Sequence, residues 1–269
     1  MPILYDLHSH TSFSADSEAP MENMILEAAA RGLKGICFTE HLDQDFPAED
    51  GAFPLDTASY YTRLLELQEK YRDRIEVLFG IELGMQSHLG PFYKELTSDW
   101  PFDYVIASQH VMYGRDPYFP VFWESHTDEE AVYLDYFREL FLDLQKMEDY
   151  DTCAHLDYIV RYGPNKNRFY SYEKYRDVID PILTWLIRED KCLELNTSRI
   201  IRDFGAPNPS PEVLAAYYEM GGRNIVIGSD AHAPAGIAAG FEQAADILRS
   251  IGFTHYCVYR QRQRFDVTL

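Results

Sequence analysis

The segment ILYDLHSH, Ile3–His10, sets a short apolar and aromatic run directly before two histidines separated by one serine. Such a run reads as a β-strand, and in an extended chain alternate residues share a side, so His8 and His10 point the same way. The arrangement of a strand followed by a histidine or an acid then recurs along the chain. Gly35–Thr39 leads into His41, Glu76–Ile81 into Glu82, and Tyr104–Ser108 into His110. Asp151–Ala154 leads into His155, and Asn224–Gly228 into Asp230 and His232, while Cys192–Leu195 is a seventh strand-like run. Six of the nine histidines therefore follow predicted strands.

Stretches of helical periodicity lie between these runs: Met21–Arg31, Thr57–Arg72, Asp128–Met147, Tyr172–Glu189, Pro211–Met220 and Phe241–Ser250. Strands alternating with helices predict an α/β fold with a parallel sheet, and seven evenly spaced units predict a closed or nearly closed barrel. An open doubly wound sheet is the alternative, but the phosphate-binding GxGxxG of its dinucleotide-binding version is absent. The 269 residues suit one domain spanning 1–269, since α/β barrels of ~250 residues are common. Two loops stand out, Gln44–Leu55 and the aromatic Val111–Thr127, and long loops in compact domains are often lids or binding loops.

In a parallel barrel the loops after the strands gather on one face, which is where active sites are built. Neutral imidazole and carboxylate are ligands of zinc, manganese and iron. Six histidines and at least two carboxylates exceed the needs of one tetrahedral zinc and fit two or three divalent ions. Closely spaced ions share a bridging hydroxide and clamp an in-line phosphoryl displacement, so phosphoryl chemistry fits this set better than redox chemistry. His88, His126 and His255 do not follow strands and read as surface or structural residues.

Composition narrows the partners. Twenty-four basic against 44 acidic residues give a net charge of −20, which excludes a nonspecific binder of nucleic acid or of anionic membranes. Met1–Leu7 is too short for a signal peptide, and no run approaches the ~18 apolar residues of a membrane span. Cys37, Cys153, Cys192 and Cys257 form no CxxC pair, and they read as buried free thiols of a cytoplasmic protein.

The motifs DLHSHTSFSADS, FTEH, GIE, SQH, AHLD and GSDAH resemble, in order, those of the PHP (polymerase and histidinol phosphatase) superfamily, from Asp6 to His232. HLDYIVRY (His155–Tyr162) and LNTS (Leu195–Ser198) are similar to segments of its monofunctional histidinol-phosphate phosphatase branch, although the arginines after LNTS depart from the usual NTSGLR spacing. The resemblance implies a distorted seven-stranded (β/α)7 barrel, TIM-barrel-like, holding two to three divalent ions, zinc first, with manganese or iron as alternatives. It places one ion on His8, His10, Glu82 and Asp230, a second on Glu82, His110 and His155, and a third on His41, His232 and Asp16. Many members of the family have a histidine in the Ser12–Asp16 region, and Asp16 is the substitute this sequence offers there.

The implied activity is hydrolysis of a small phosphomonoester, L-histidinol phosphate, by a metal-bridging hydroxide attacking phosphorus in line. Arg161 and Arg199 would bind the phosphoryl oxygens, with Arg202 a third candidate, and Asp230 or His232 would serve the leaving alkoxide. Other readings are a PHP phosphoesterase of a nucleotide, an oligonucleotide end or a phosphotyrosine protein, a non-catalytic metal-binding module, and an amidohydrolase. The acidic charge disfavours the oligonucleotide, the retained ligands disfavour the module, and the seven-strand count with Glu82 disfavours the amidohydrolase.

Overall fold

The computed structural model describes residues 2–48, 51–200 and 205–269. Seven parallel strands lie side by side in chain order: β1 (Tyr5–Asp6), β2 (Gly35–Leu42), β3 (Glu76–Gly84), β4 (Tyr104–Ser108), β5 (Thr152–Cys153), β6 (Cys192–Asn196) and β7 (Ile225–Gly228). Their apolar, β-branched runs are buried almost throughout, as strands covered on both faces must be. The helices that alternate with them are α1 (Met21–Ala30), α2 (Thr57–Tyr71), α3 (Gly90–Asp99), α4 (Pro120–Ser125), α5 (Glu129–Lys146), α6 (Tyr172–Arg188), α7 (Pro211–Glu219) and α8 (Phe241–Ile251). Local chemistry starts several of them. Asp56, Asp128 and Ser171 accept hydrogen bonds from the first-turn amides of α2, α5 and α6.

The first strand closes the ring against the last. The Leu7 amide donates to the Ile227 carbonyl at 3.1 Å, Asp230 to His8 at 2.8 Å and His10 to Ala231 at 2.9 Å. The buried Asp6 carboxylate seals this seam by accepting from the amides of Ser229 (2.9 Å) and Ala238 (3.0 Å). Gly228 lies at the same seam because any side chain there would collide with Cβ of His8. Asp6 thus orients the backbone beside the HSH segment and does not face its imidazoles.

Strands β2 and β3 run past their predicted ends at Thr39 and Ile81, which carries His41 and Glu82 into the sheet itself, paired directly across the ladder. The aromatic 111–127 segment contains α4, and α3 is a further helix between β3 and β4. A two-stranded antiparallel hairpin, β8 (His255–Arg260) and β9 (Gln263–Thr268), was not anticipated either. Its arginines reach the N-terminal ends of the barrel strands: Arg260 pairs with Glu76 at 2.5 Å, Arg262 with Asp151 at 2.6 Å, and Arg264 with Asp190 at 3.0 Å. All four cysteines are buried and free. Among the described residues no helix is long and apolar enough to cross a membrane.

The hairpin latch has a measurable consequence. Asp151 is only 9% exposed and also accepts from the Val105 amide, so Arg262→Ala strands a largely buried carboxylate. The expected loss is about 2 kcal/mol, a fall in Tm of roughly 4–8 °C by calorimetry. An unchanged Tm would show that the hairpin does not brace the barrel.

Candidate metal centre

The C-terminal ends of the strands converge on one carboxylate. Glu82, in β3, is fully buried, and its two oxygens meet five imidazole nitrogens. Oε2 lies 3.0 Å from His8 Nε2, 3.3 Å from His10 Nε2 and 3.2 Å from His41 Nδ1. Oε1 lies 3.3 Å from His110 Nε2 and 3.1 Å from His155 Nε2, and it accepts from the Ser108 hydroxyl at 2.5 Å. Asp230 Oδ1 adds to the first group, 3.7 Å from His8 Nε2 and 3.5 Å from His10 Nε2.

At the open side, Asp16 Oδ2 lies 3.1 Å from His232 Nε2 and 3.7 Å from His41 Nε2. The structure therefore brings His8, His10, Asp16, His41, Glu82, His110, His155, Asp230 and His232 into one cluster. Ligand atoms of His8, His10 and Glu82, of Glu82, His110 and His155, and of His10, His41 and His232 each converge within 4.8 Å. So do those of His41, Asp43 and His110, a fourth grouping.

The chemistry of this set fits divalent cations. Buried polar nitrogens are normally satisfied, yet His10 Nε2, His41 Nδ1 and His232 Nε2 make no well-directed hydrogen bond among the described residues, and the nearest carboxylate oxygens, on Glu82 and Asp16, stand 3.1–3.3 Å away. Burial alone would raise the Glu82 carboxyl, but the neighbouring His8 and His41 outweigh it and hold it well below the usual range. Asp230 is held low in the same way, against its burial, by His8 and His10. Burial holds His41 down at about 4 despite Glu82, whereas contacts with Asp230 and Glu82 overcome burial at His10 and lift it to about 9. Ionised carboxylates facing imidazoles are the donor set of zinc and its neighbours, and a bound cation displaces whatever protons the imidazoles carry.

Behind the cluster stands a layer of buried acids that the sequence reading left without roles. Glu194 Oε1 lies 2.5 Å from His8 Nδ1, and its other oxygen accepts from the His155 amide at 2.8 Å. Asp43 Oδ1 lies 2.7 Å from His110 Nδ1. Each such contact turns the opposite ring nitrogen, Nε2, toward Glu82. Glu40 accepts from Thr11 Oγ1 and Ser14 Oγ, both at 2.6 Å, and so folds the loop that carries Asp16. An acid inside an otherwise apolar strand, as in CLELN and CFTEHL, is the signal that could have found Glu194 and Glu40.

The cluster forms the floor of a cleft of about 410 Å³. Arg161 and Arg199 line the same cleft, as do Phe46, Phe53, Tyr118, Phe119, Tyr158 and Tyr162. Arg161 is buried, with Nη1 on Asp230 Oδ2 at 3.2 Å, while its Nη2 has no partner among the described residues. The Arg199 guanidinium stands over the Tyr162 ring, 5.3 Å from its centroid. Arg202 lies outside the described residues. His88 pairs with Asp45 at the surface, His126 stacks on Tyr113 and Phe122, and the exposed His255 starts β8, so none of the three joins the cluster.

The chain is 31% identical to the histidinol-phosphatase of Lactococcus lactis subsp. lactis (strain IL1403), over 92% of this chain and 91% of that protein. It is 34% identical to a probable histidinol-phosphatase of Clostridium acetobutylicum, over 90% of this chain and 91% of its length. A crystal structure of histidinol phosphate phosphatase from Lactococcus lactis subsp. lactis Il1403, complexed with zinc, L-histidinol and phosphate, superposes with a TM-score of 0.89 at 28% identity, over 97% of this chain and 98% of that one. The PHP domain model matches residues 6–198, a span that takes in the HSH segment, Glu82, His110 and His155, and by that match the chain belongs to the PHP domain family.

Proposed function

We propose that this chain is a metal-dependent phosphomonoesterase that hydrolyses L-histidinol phosphate to L-histidinol and inorganic phosphate. The observation that carries the reading is a single cleft holding the Glu82 cluster, a buried arginine with an unpartnered Nη2, and a wall of aromatic rings. The similarity to the Lactococcus lactis enzyme complexed with zinc, L-histidinol and phosphate supports it across nearly the whole chain.

His8, His10, Glu82 and Asp230 would hold one divalent ion, Glu82, His110 and His155 a second, and His41, His232 and Asp16 a third, with zinc first and manganese or iron as alternatives. Bound there, such ions would supply Lewis acidity toward the phosphoryl oxygens and an ionised water as nucleophile. The chain's own groups do the positioning. Arg161 and Arg199 bind the phosphoryl oxygens, since a guanidinium matches phosphate geometry in a forked way. As the ester oxygen leaves phosphorus it needs a proton, and His232, on the cleft wall with Nδ1 3.7 Å from Oδ1 of the ionised Asp230, is the group placed to deliver it.

The other end of the substrate carries an imidazole and an amine. Tyr118, Tyr158 and Tyr162 offer it ring faces. Asp116, whose carboxyl burial pushes up to about 6 although it accepts from the Tyr118 amide, lines the same space. Residues 1–269 act in this reading as one domain, with the β8–β9 hairpin bracing the barrel from below. A cytoplasmic setting accords with four buried free thiols.

Three outcomes test this reading. A panel of phosphomonoesters should give a kcat/KM for L-histidinol phosphate ~100-fold or more above that for p-nitrophenyl phosphate, the discrimination expected of a site with polar contacts to the leaving group. Chelation should abolish turnover, and zinc or manganese should restore it; equal kcat/KM values, or activity indifferent to chelation, would sink the proposal. Glu82→Gln should lower turnover by at least ~100-fold, beyond the ~10–100-fold typical for groups behind the ligands, with bound metal falling in parallel and the circular dichroism spectrum intact. Near-normal metal content in that variant would remove Glu82 from the centre.

A further inference from the structure

Resting on the reading above, we propose that Asn208 is a positioning residue that aims Arg161 at the phosphoryl group, with Asp157 behind it as the anchor. Arg161 presents three separate faces. Its Nε donates to Asn208 Oδ1 at 2.7 Å, its Nη1 to Asp230 Oδ2 at 3.2 Å, and its Nη2 remains without a partner among the described residues on the cleft wall. A guanidinium bound only through Nη1 could still rotate about that contact. The second bond, at Nε, fixes the plane of the guanidinium where Arg161 lines the cleft.

The chemistry of the link suits an amide. Arg161 only donates and Asp157 accepts at both of its oxygens, so the group between them must do both. Asn208 does so, accepting from Arg161 and donating through Nδ2 to Asp157 Oδ1 at 2.6 Å. Asp157 Oδ2 also accepts from the Ser210 amide at 3.1 Å, which ties the acid to the segment that carries Asn208. The backbone is pinned as well. Asn208 and Asn196, at the end of β6, exchange amide-to-carbonyl bonds at 3.0 and 2.8 Å, and Asn196 Nδ2 donates to Asp230 Oδ2 at 3.2 Å. All three members of the chain Asp157–Asn208–Arg161 are buried, so water does not substitute for the amide. Asn208 lies beyond the residues matched by the family model.

A double-mutant cycle read by the binding of inorganic phosphate to the zinc-loaded enzyme tests this. Asn208→Ala should weaken phosphate binding about tenfold and raise KM for the phosphomonoester more than it lowers kcat, the loss expected for a hydrogen bond to a charged group. In an Arg161→Ala background the same change should alter phosphate binding less than about twofold, because the positioned group is gone. Asn208→Leu, similar in shape but neither acceptor nor donor, should match Asn208→Ala, and an intact circular dichroism spectrum in both variants excludes loss of folding. Equal losses with and without Arg161, or no loss with Arg161 present, would overturn the proposal. Phosphate binding can be read whatever ester is hydrolysed, so failure to turn over L-histidinol phosphate would strike the proposed substrate and not this inference.

Discussion

Everything at the mouth of this barrel is arranged around one buried carboxylate. Glu82 is sealed from solvent in the middle of β3, where an isolated negative charge would be strongly unfavourable. Five imidazole nitrogens, three on one oxygen and two on the other, make that position tenable. The two-sided arrangement explains why strands β2 and β3 continue beyond their apolar runs. His41 and Glu82 must lie paired across the ladder for the carboxylate to face both groups of rings. It also explains the second layer, in which Glu194 and Asp43 turn His8 and His110 inward.

The barrel's two ends divide the labour. At the N-terminal end of the strands, the arginines of the β8–β9 hairpin meet acids at the starts of the barrel strands, and these pairs brace the fold. At the C-terminal end the acids are spent on imidazoles and on Arg161, so the cleft pairs a cation-binding floor with guanidinium groups on its wall. The net charge of −20 is therefore chiefly a property of the surface, while the cleft itself is suited to the phosphate end of a small zwitterion.

Much of this was legible in the sequence, and the rest was hidden for identifiable reasons. The seven strands and six of the helices followed from apolar runs, helical periodicity and capping residues, and the recurrence of histidine after a strand led to the cluster. The β8–β9 hairpin was missed because its turn residues, Gln261 and Arg262, take positive φ with neither glycine nor asparagine to announce it. Tertiary contacts hold that turn instead: Asp103 accepts from both of its amides, at 2.8 and 2.9 Å. Helix α3 is short and opens with Gly90-Pro91, a pair that reads equally well as a turn. Asp43, Glu194 and Asn208 carry no motif of their own, and their roles depend on partners 39 to 186 residues away that only the folded ring brings near.

The central proposal is that the Glu82 carboxylate would hold a divalent cation on each side. Anomalous-difference maps of zinc-loaded crystals, collected on both sides of the zinc absorption edge, test it most directly. The account predicts separate zinc peaks on the two sides of the Glu82 carboxylate, one beside His8, His10 and Asp230 and the other beside His110 and His155. A single peak, or peaks that leave Glu82 uncoordinated, would contradict it.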